Sequence, residues 1–138
     1  MRSLEEQVAA AVAKFEAKVD RTTERAVEAI AAYGISLSPE VSGRFKANFN
    51  YGLDQANAST SQDTSSRTLN FTAAIPEKAG GHVHYISNSL PYALRLEFGY
   101  TGPDSLGRTF SQLPQAIFGR MAMAAPQIIE DIARDVAQ

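Results

Sequence analysis

The 138 residues predict an α+β fold: a long N-terminal helix, a small antiparallel sheet of about three strands, a short helix after the last strand, and a kinked C-terminal helix. Three patterns carry this expectation. Apolar residues recur at helical spacing across 4–33, apolar and polar residues alternate from Phe45 onward, and helical spacing returns after 113 with Pro126 inside it.

The first helix is expected over 3–33, because Leu4, Val8, Val12, Phe15, Val19, Thr22, Ala26, Ile30 and Tyr33 advance by threes and fours along one face. Ser3 and Glu6 have the spacing of a capping box, which satisfies orphan amides at a helix start, and Gly34 is expected to stop the helix. At ~1.5 Å per residue this helix is about 45 Å long, more than the remaining chain can cover, so part of the stripe is expected to need a neighbouring subunit.

The sheet is expected within 44–88. Phe45, Ala47, Phe49, Tyr51 and Leu53 alternate with Lys46, Asn48, Asn50 and Gly52, the signature of a half-buried strand. The polar run DQANASTSQDTSS over 54–66 reads as a long flexible hairpin loop. Leu69, Phe71, Ala73 and Ile75 alternate again until Pro76, with a short helix as the other reading, and 83–87 forms the third strand. A short helix is expected over 91–98, capped by Asn88 or Ser89, opened by Pro91 and closed by Gly99. The run from Gly99 to Ser111 reads as an irregular docking loop. Over 113–137, Leu113, Ile117, Met121, Ile128, Ile132 and Val136 keep helical spacing, and Pro126 should divide them into two pieces near Ala125.

The whole chain, 1–138, is expected to be a single domain. A hydrophobic share of 44% with 20% charged residues is that of an ordinary soluble protein. The formal charge of −2, with scattered Lys and Arg, gives no basic field for nucleic acid as the main partner. Without cysteine there is no disulfide framework, thiolate metal site or thiol nucleophile. The opening MRSLEEQVAA lacks the apolar core of a secretory leader, and no run of about 18 apolar residues exists to span a membrane.

Candidate chemistry is sparse. His82 and His84 sit two apart on a strand, where both would share one face and could ligate a metal, but no third ligand has matching spacing, so surface histidines are the expectation. Glu97, between Leu96 and Phe98, could be a catalytic acid with a raised pKa, yet a lone carboxylate defines no reaction, and an ion pair or hydrogen bond to Arg95 or Arg44 is expected instead. Arg44, Lys46 and Arg67 suggest a solvated basic face. The sequon at Asn57 to Ser59 has meaning only on a secretory route. No catalytic residue, cofactor or metal is expected.

Two segments carry a resemblance. SPEVSGRFKANF offers Pro39, Ser42, Gly43, Arg44 and Phe45 ahead of a strand, and ISNSLPYALRLEFG offers Asn88, Pro91, Tyr92, Ala93, Leu96, Glu97 and Gly99. Together and in this order they resemble the minor tail or tail-completion family of tailed bacteriophages, whose members join a filled head to its tail. After Gly99 the run YTGPDSLGRTFSQ departs from the family pattern. The resemblance implies a non-enzymatic neck subunit in a homo-oligomeric ring of six subunits, or of twelve, that touches a connector or head-completion protein and the tail tube protein. DNA would pass through as cargo, and the subunit would reside in the virion after assembly from the host cytoplasm. Asp54, Gln55, Ser61 and Asp63 in one loop, and Tyr100, Asp104, Arg108 and Phe110 in the other, are expected to make the contacts between subunits or rings. The competing expectation is a small cytosolic adaptor that pairs through its long helix.

Overall fold

The computed structural model describes residues 2–39, 43–62 and 74–138. Its α+β order is helix α1 (Leu4–Leu37), the short helix α2 (Arg44–Ala47), strands β1 (Asn50–Leu53) and β2 (His84–Ser87), helix α3 (Ala93–Phe98), strands β3 (Tyr100–Pro103) and β4 (Thr109–Gln112), and helix α4 (Ile117–Ala137).

Helix α1 begins as its sequence requires. Ser3 Oγ accepts from the amide of Glu6, and Glu6 Oε2 accepts from the amide of Ser3, both at 3.1 Å. Its end lies elsewhere than expected, because Gly34 does not stop the helix. The helix runs three residues further, to Leu37, and Ser38 closes it by donating its amide to Ile35 O and its hydroxyl to Gly34 O. The glycine serves packing instead: a Cβ at position 34 would stand 2.3 Å from the sulfur of Met121 on α4. Glycine thus lets the two long helices approach closely, and that gain offsets its poor helix propensity.

Helices α1 and α4 make the most extensive contact between elements. They run antiparallel, since Gly34 meets Met121 near the start of α4 while Arg25 pairs with Asp135 at 2.8 Å near its end. Helix α4 is one continuous helix from Ile117 rather than two pieces from 113. Pro126 deletes the bond to the carbonyl of Ala122, but both residues lie on the exposed face, where water can satisfy that carbonyl.

The expected first strand begins later than its alternation suggests. Gly43, at φ 80°, turns the chain into α2, which buries Phe45 and Ala47, and only Asn50–Leu53 is extended. A short helical turn followed by a strand mimics period two over so few residues. Strand β1 pairs antiparallel with β2, Asn50 opposite Ser87 and Leu53 opposite His84. The expected strand from Leu69 lies outside the described residues except for its end, where Ile75 is buried with Val27 and Ala79. The run from Gly99, expected to be irregular, contains a second hairpin with Tyr100 opposite Gln112 and Pro103 opposite Thr109. The described residues therefore hold two two-stranded sheets where one sheet of about three strands was expected.

The main core joins all these parts. Ala31 and Ile35 of α1, Phe45 of α2, Phe49, Leu90, and Ile117 and Met121 of α4 are buried together. Phe49 packs edge-on to Phe45 at 5.5 Å and stacks on Phe118 at 5.6 Å. Burying each large side chain here contributes about 1.5–3 kcal/mol. Among the described residues no helix is long and apolar enough to cross a membrane.

Gly34→Val should destabilise the protein by about 1–3 kcal/mol in urea unfolding, because the new branch overlaps the Met121 side chain. Adding Met121→Ala should restore part of that loss. Equal loss with and without Met121→Ala would show that helix contact is not the reason for the glycine.

Candidate interaction surface

The two motif segments, more than forty residues apart, meet in space. Asn88 Nδ2 donates to the carbonyl of Phe45 at 2.9 Å, and the rings of Phe45 and Tyr92 lie 6.3 Å apart. Asn88 Oδ1 accepts from the amide of Leu90, so the residue shapes the turn before α3 and does not cap that helix. The helix consequently starts at Ala93, two residues later than expected, with Pro91 in the preceding turn. Tyr92, Ala93 and Leu96 pack against the main core. Pro39 is half-buried beyond the end of α1, Gly43 turns the chain into α2, and Ser42 lies outside the described residues.

Glu97 has a different partner from either arginine expected. Its Oε1 accepts from the amide of Phe118 at 2.8 Å and its Oε2 from the amide of Gly119 at 3.0 Å. These are orphan amides at the start of α4, where Ala116 has no capping side chain. A carboxylate from another helix therefore caps α4 and complements its dipole. The amides of Gln115 and Ala116 donate to the carbonyls of Leu96 and Glu97, extending the same joint. Gly99 then turns away at φ 81°, where a Cβ would stand 2.8 Å from the carbonyl oxygen of Gln112.

The described residues assigned to the first loop are tied to the body of the protein although most are exposed. Asp54, at φ 60°, donates its amide to Val83 O, accepts the Val83 amide at Oδ1, and places Oδ2 2.9 Å from His82 Nδ1. It closes the end of the β1–β2 pair. The segment 55–62 returns along β1, held by two buried asparagines. Asn50 Nδ2 donates to Asn57 O and Ser59 O, while Asn48 exchanges hydrogen bonds with the backbone of Ser61, to whose carbonyl Arg44 Nε also donates. Gln55 is exposed; Asp63 and Arg67 lie outside the described residues. A polar composition looks like flexibility in one dimension, but buried amides can recruit such a chain as their partner.

In the second loop, Tyr100, Asp104 and Arg108 build the hairpin. Asp104 Oδ1 accepts from the amides of Leu106 and Arg108, and its Oδ2 lies 2.8 Å from Arg108 Nε. Arg95 stacks over the Tyr100 ring at 3.9 Å, and Phe110 packs on Tyr100 at 6.3 Å. The histidines are likewise engaged within the chain. His84 Nε2 donates to Ala79 O at 2.8 Å, which leaves Nδ1 to accept from the Tyr51 hydroxyl at 2.7 Å. His82 precedes the strand and faces Asp54. Among the described residues, no group of three or more His, Cys, Asp or Glu is gathered as metal ligands.

Several large apolar side chains remain uncovered. The first part of the α1 stripe, Leu4, Val8, Val12, Phe15 and Val19, is exposed, whereas α1 becomes buried from Ala26 to Ile35. At the junction, Phe15, Val19 and Thr22 line a groove of about 390 Å³ with Ala133, Val136 and Ala137 of α4. A second exposed set is Leu94 and Phe98 on α3 with Leu113, and Leu106 and Phe110 project from the hairpin. Periodicity could place the first stripe; it could not show which part of it the other elements cover. No protein-family profile matches the chain, and no curated protein and no solved structure is found similar to it.

Glu97→Ala should cost about 1–2 kcal/mol, as loss of a helix cap does. Hydrogen exchange should accelerate at the amides of Phe118 and Gly119, which a purely surface role for Glu97 would leave unchanged. Acid should also weaken the loops. The Val83 amide, then the His82 side chain, hold the Asp54 carboxyl below its ordinary 3.8, and the Arg108 amide does the same for Asp104. A pKa depressed by folding contributes stability present above 3.8 and lost as pH falls through the lower folded value. Thermal midpoints measured below the ordinary aspartate range should therefore fall more steeply for the native chain than for a chain carrying Asp54→Asn and Asp104→Asn.

Proposed function

We propose that this chain is a non-catalytic structural subunit of a tailed-bacteriophage neck, forming a homo-oligomeric ring that completes the tail or joins head to tail while letting DNA pass. The observation that carries the reading is the union of the two motif segments at one corner, through Asn88 on Phe45 and Tyr92 against the Phe45 ring. Their polar groups are spent on mechanical joints: Asn88 ties α2 to the turn before α3, and Glu97 ties α3 to α4. Such a corner holds the β3–β4 hairpin and the Leu94, Phe98 and Leu113 patch in fixed positions, as docking onto a connector or tail tube protein needs. A formal charge of −2 suits a ring whose opening passes DNA without retaining it. In this reading the subunit waits in the host cytoplasm and ends in the virion.

The exposed α1 stripe favours one other reading, a small cytosolic adaptor that oligomerises through its long helix without catalysis. Phage particles produced with this gene disabled separate the two. Negative-stain microscopy should show filled heads and tails that remain unjoined. Complete virions with joined tails would remove the neck role and leave the adaptor.

A further inference from the structure

The stripe on α1 has two halves with different fates. From Thr22 onward α4 lies on it, with a groove between Phe15, Val19 and Thr22 and the last turn of α4, and Leu4, Val8, Val12, Phe15 and Val19 are exposed along the same face of α1. We propose that a second copy of this chain supplies the missing cover: the N-terminal halves of two α1 helices pair antiparallel, each filling the groove at the end of the other's α4.

Geometry supports this occupant. Leu4 of the second copy falls opposite Val19, Val8 opposite Phe15, and Ala11 opposite Val12, so the arrangement repeats itself about a two-fold axis near the middle of the bare segment. That middle is Val-Ala-Ala-Ala-Val-Ala, from Val8 to Ala13, and alanines let helix backbones approach closely. The incoming helix runs in the same direction as α4 and meets it end to end.

Area sets the strength of this pairing. The exposed fractions are 75% for Leu4, 54% for Val8, 49% for Val12, 67% for Phe15 and 37% for Val19. Side chains of these sizes expose roughly 500 Å² per copy, so their pairing removes up to about 1,000 Å², which places the pair among small, weak interfaces. The pairing continues an apolar contact already made within each chain, on the same face of α1. It rests on the adaptor reading above, in which it is the dimer, because a two-fold contact would join neck rings back to back and leave two identical faces.

The chain has no cysteine, so thiols can be placed freely. Single-cysteine variants Leu4→Cys and Val19→Cys, mixed and exposed to dissolved oxygen, should form a disulfide between the two variants as their thiols lose hydrogen to the oxidant. Neither variant should link to itself, because identical positions lie at opposite ends of the pair. Val12→Asp should halve the particle mass in light scattering with helix content by circular dichroism unchanged. Self-linking of Leu4→Cys would mean parallel pairing and overturn the proposal. So would a native chain that scatters as a monomer at high micromolar concentration, or a mass untouched by Val12→Asp; either result would assign the stripe to a different protein.

Discussion

The sulfur of Met121 occupies the space where a side chain at position 34 would stand, so glycine there lets the two long helices approach without displacing Met121. Much of the rest depends on this approach. It sets α4 against α1 along a line from Met121 to Asp135, and Ile117 and Met121 then close the core over Ala31, Ile35, Phe45 and Phe49. Packed interiors tolerate little misfit, so a contact this close determines which residues of α1 are covered and which stay exposed.

The corner from Asn88 to Gly99 fastens the start of α4 to the rest of the molecule. Two carboxylate oxygens of Glu97 receive two amides of α4, and the carbonyls of Leu96 and Glu97 receive two more from the residues just before it. These four amides, two of them orphan donors of the first turn of α4, would otherwise go to water, and here they fasten α3 to α4. The same corner reaches back to α2 through Asn88. Segments adjacent in neither sequence nor secondary structure are thus held together by a few short hydrogen bonds.

Below these joints the surface is unevenly finished. The body of the protein covers the second half of α1, the hairpin is stiffened by Asp104 and by Arg95 on Tyr100, and the polar segment 55–62 is drawn onto Asn48 and Asn50. Apolar side chains are left bare at the N-terminal half of α1 and around Leu94 and Phe98. Unpaired apolar area of this kind is retained where association is part of the role. The proposed neck ring and the proposed antiparallel pair both make use of it.

The sequence by itself determined the elements whose signals are local. The Ser3 and Glu6 box starts α1 because both hydrogen bonds lie within one turn, the apolar period marks both long helices, and Gly99 announces a turn that only a residue without Cβ accommodates easily. Tertiary structure decided whatever depended on a distant partner. Gly34 reads as a stop until Met121 is beside it, and Glu97 reads as a lone acid until the amides of Phe118 and Gly119 arrive from twenty residues on. The run 54–62 reads as a free loop until two asparagines claim its carbonyls, and Pro126 reads as a break until it and Ala122 are found on the exposed face of α4. Period and capping are properties of a segment, whereas burial, close approach and the partner of a charge belong to two segments at once, and only the folded chain brings those together.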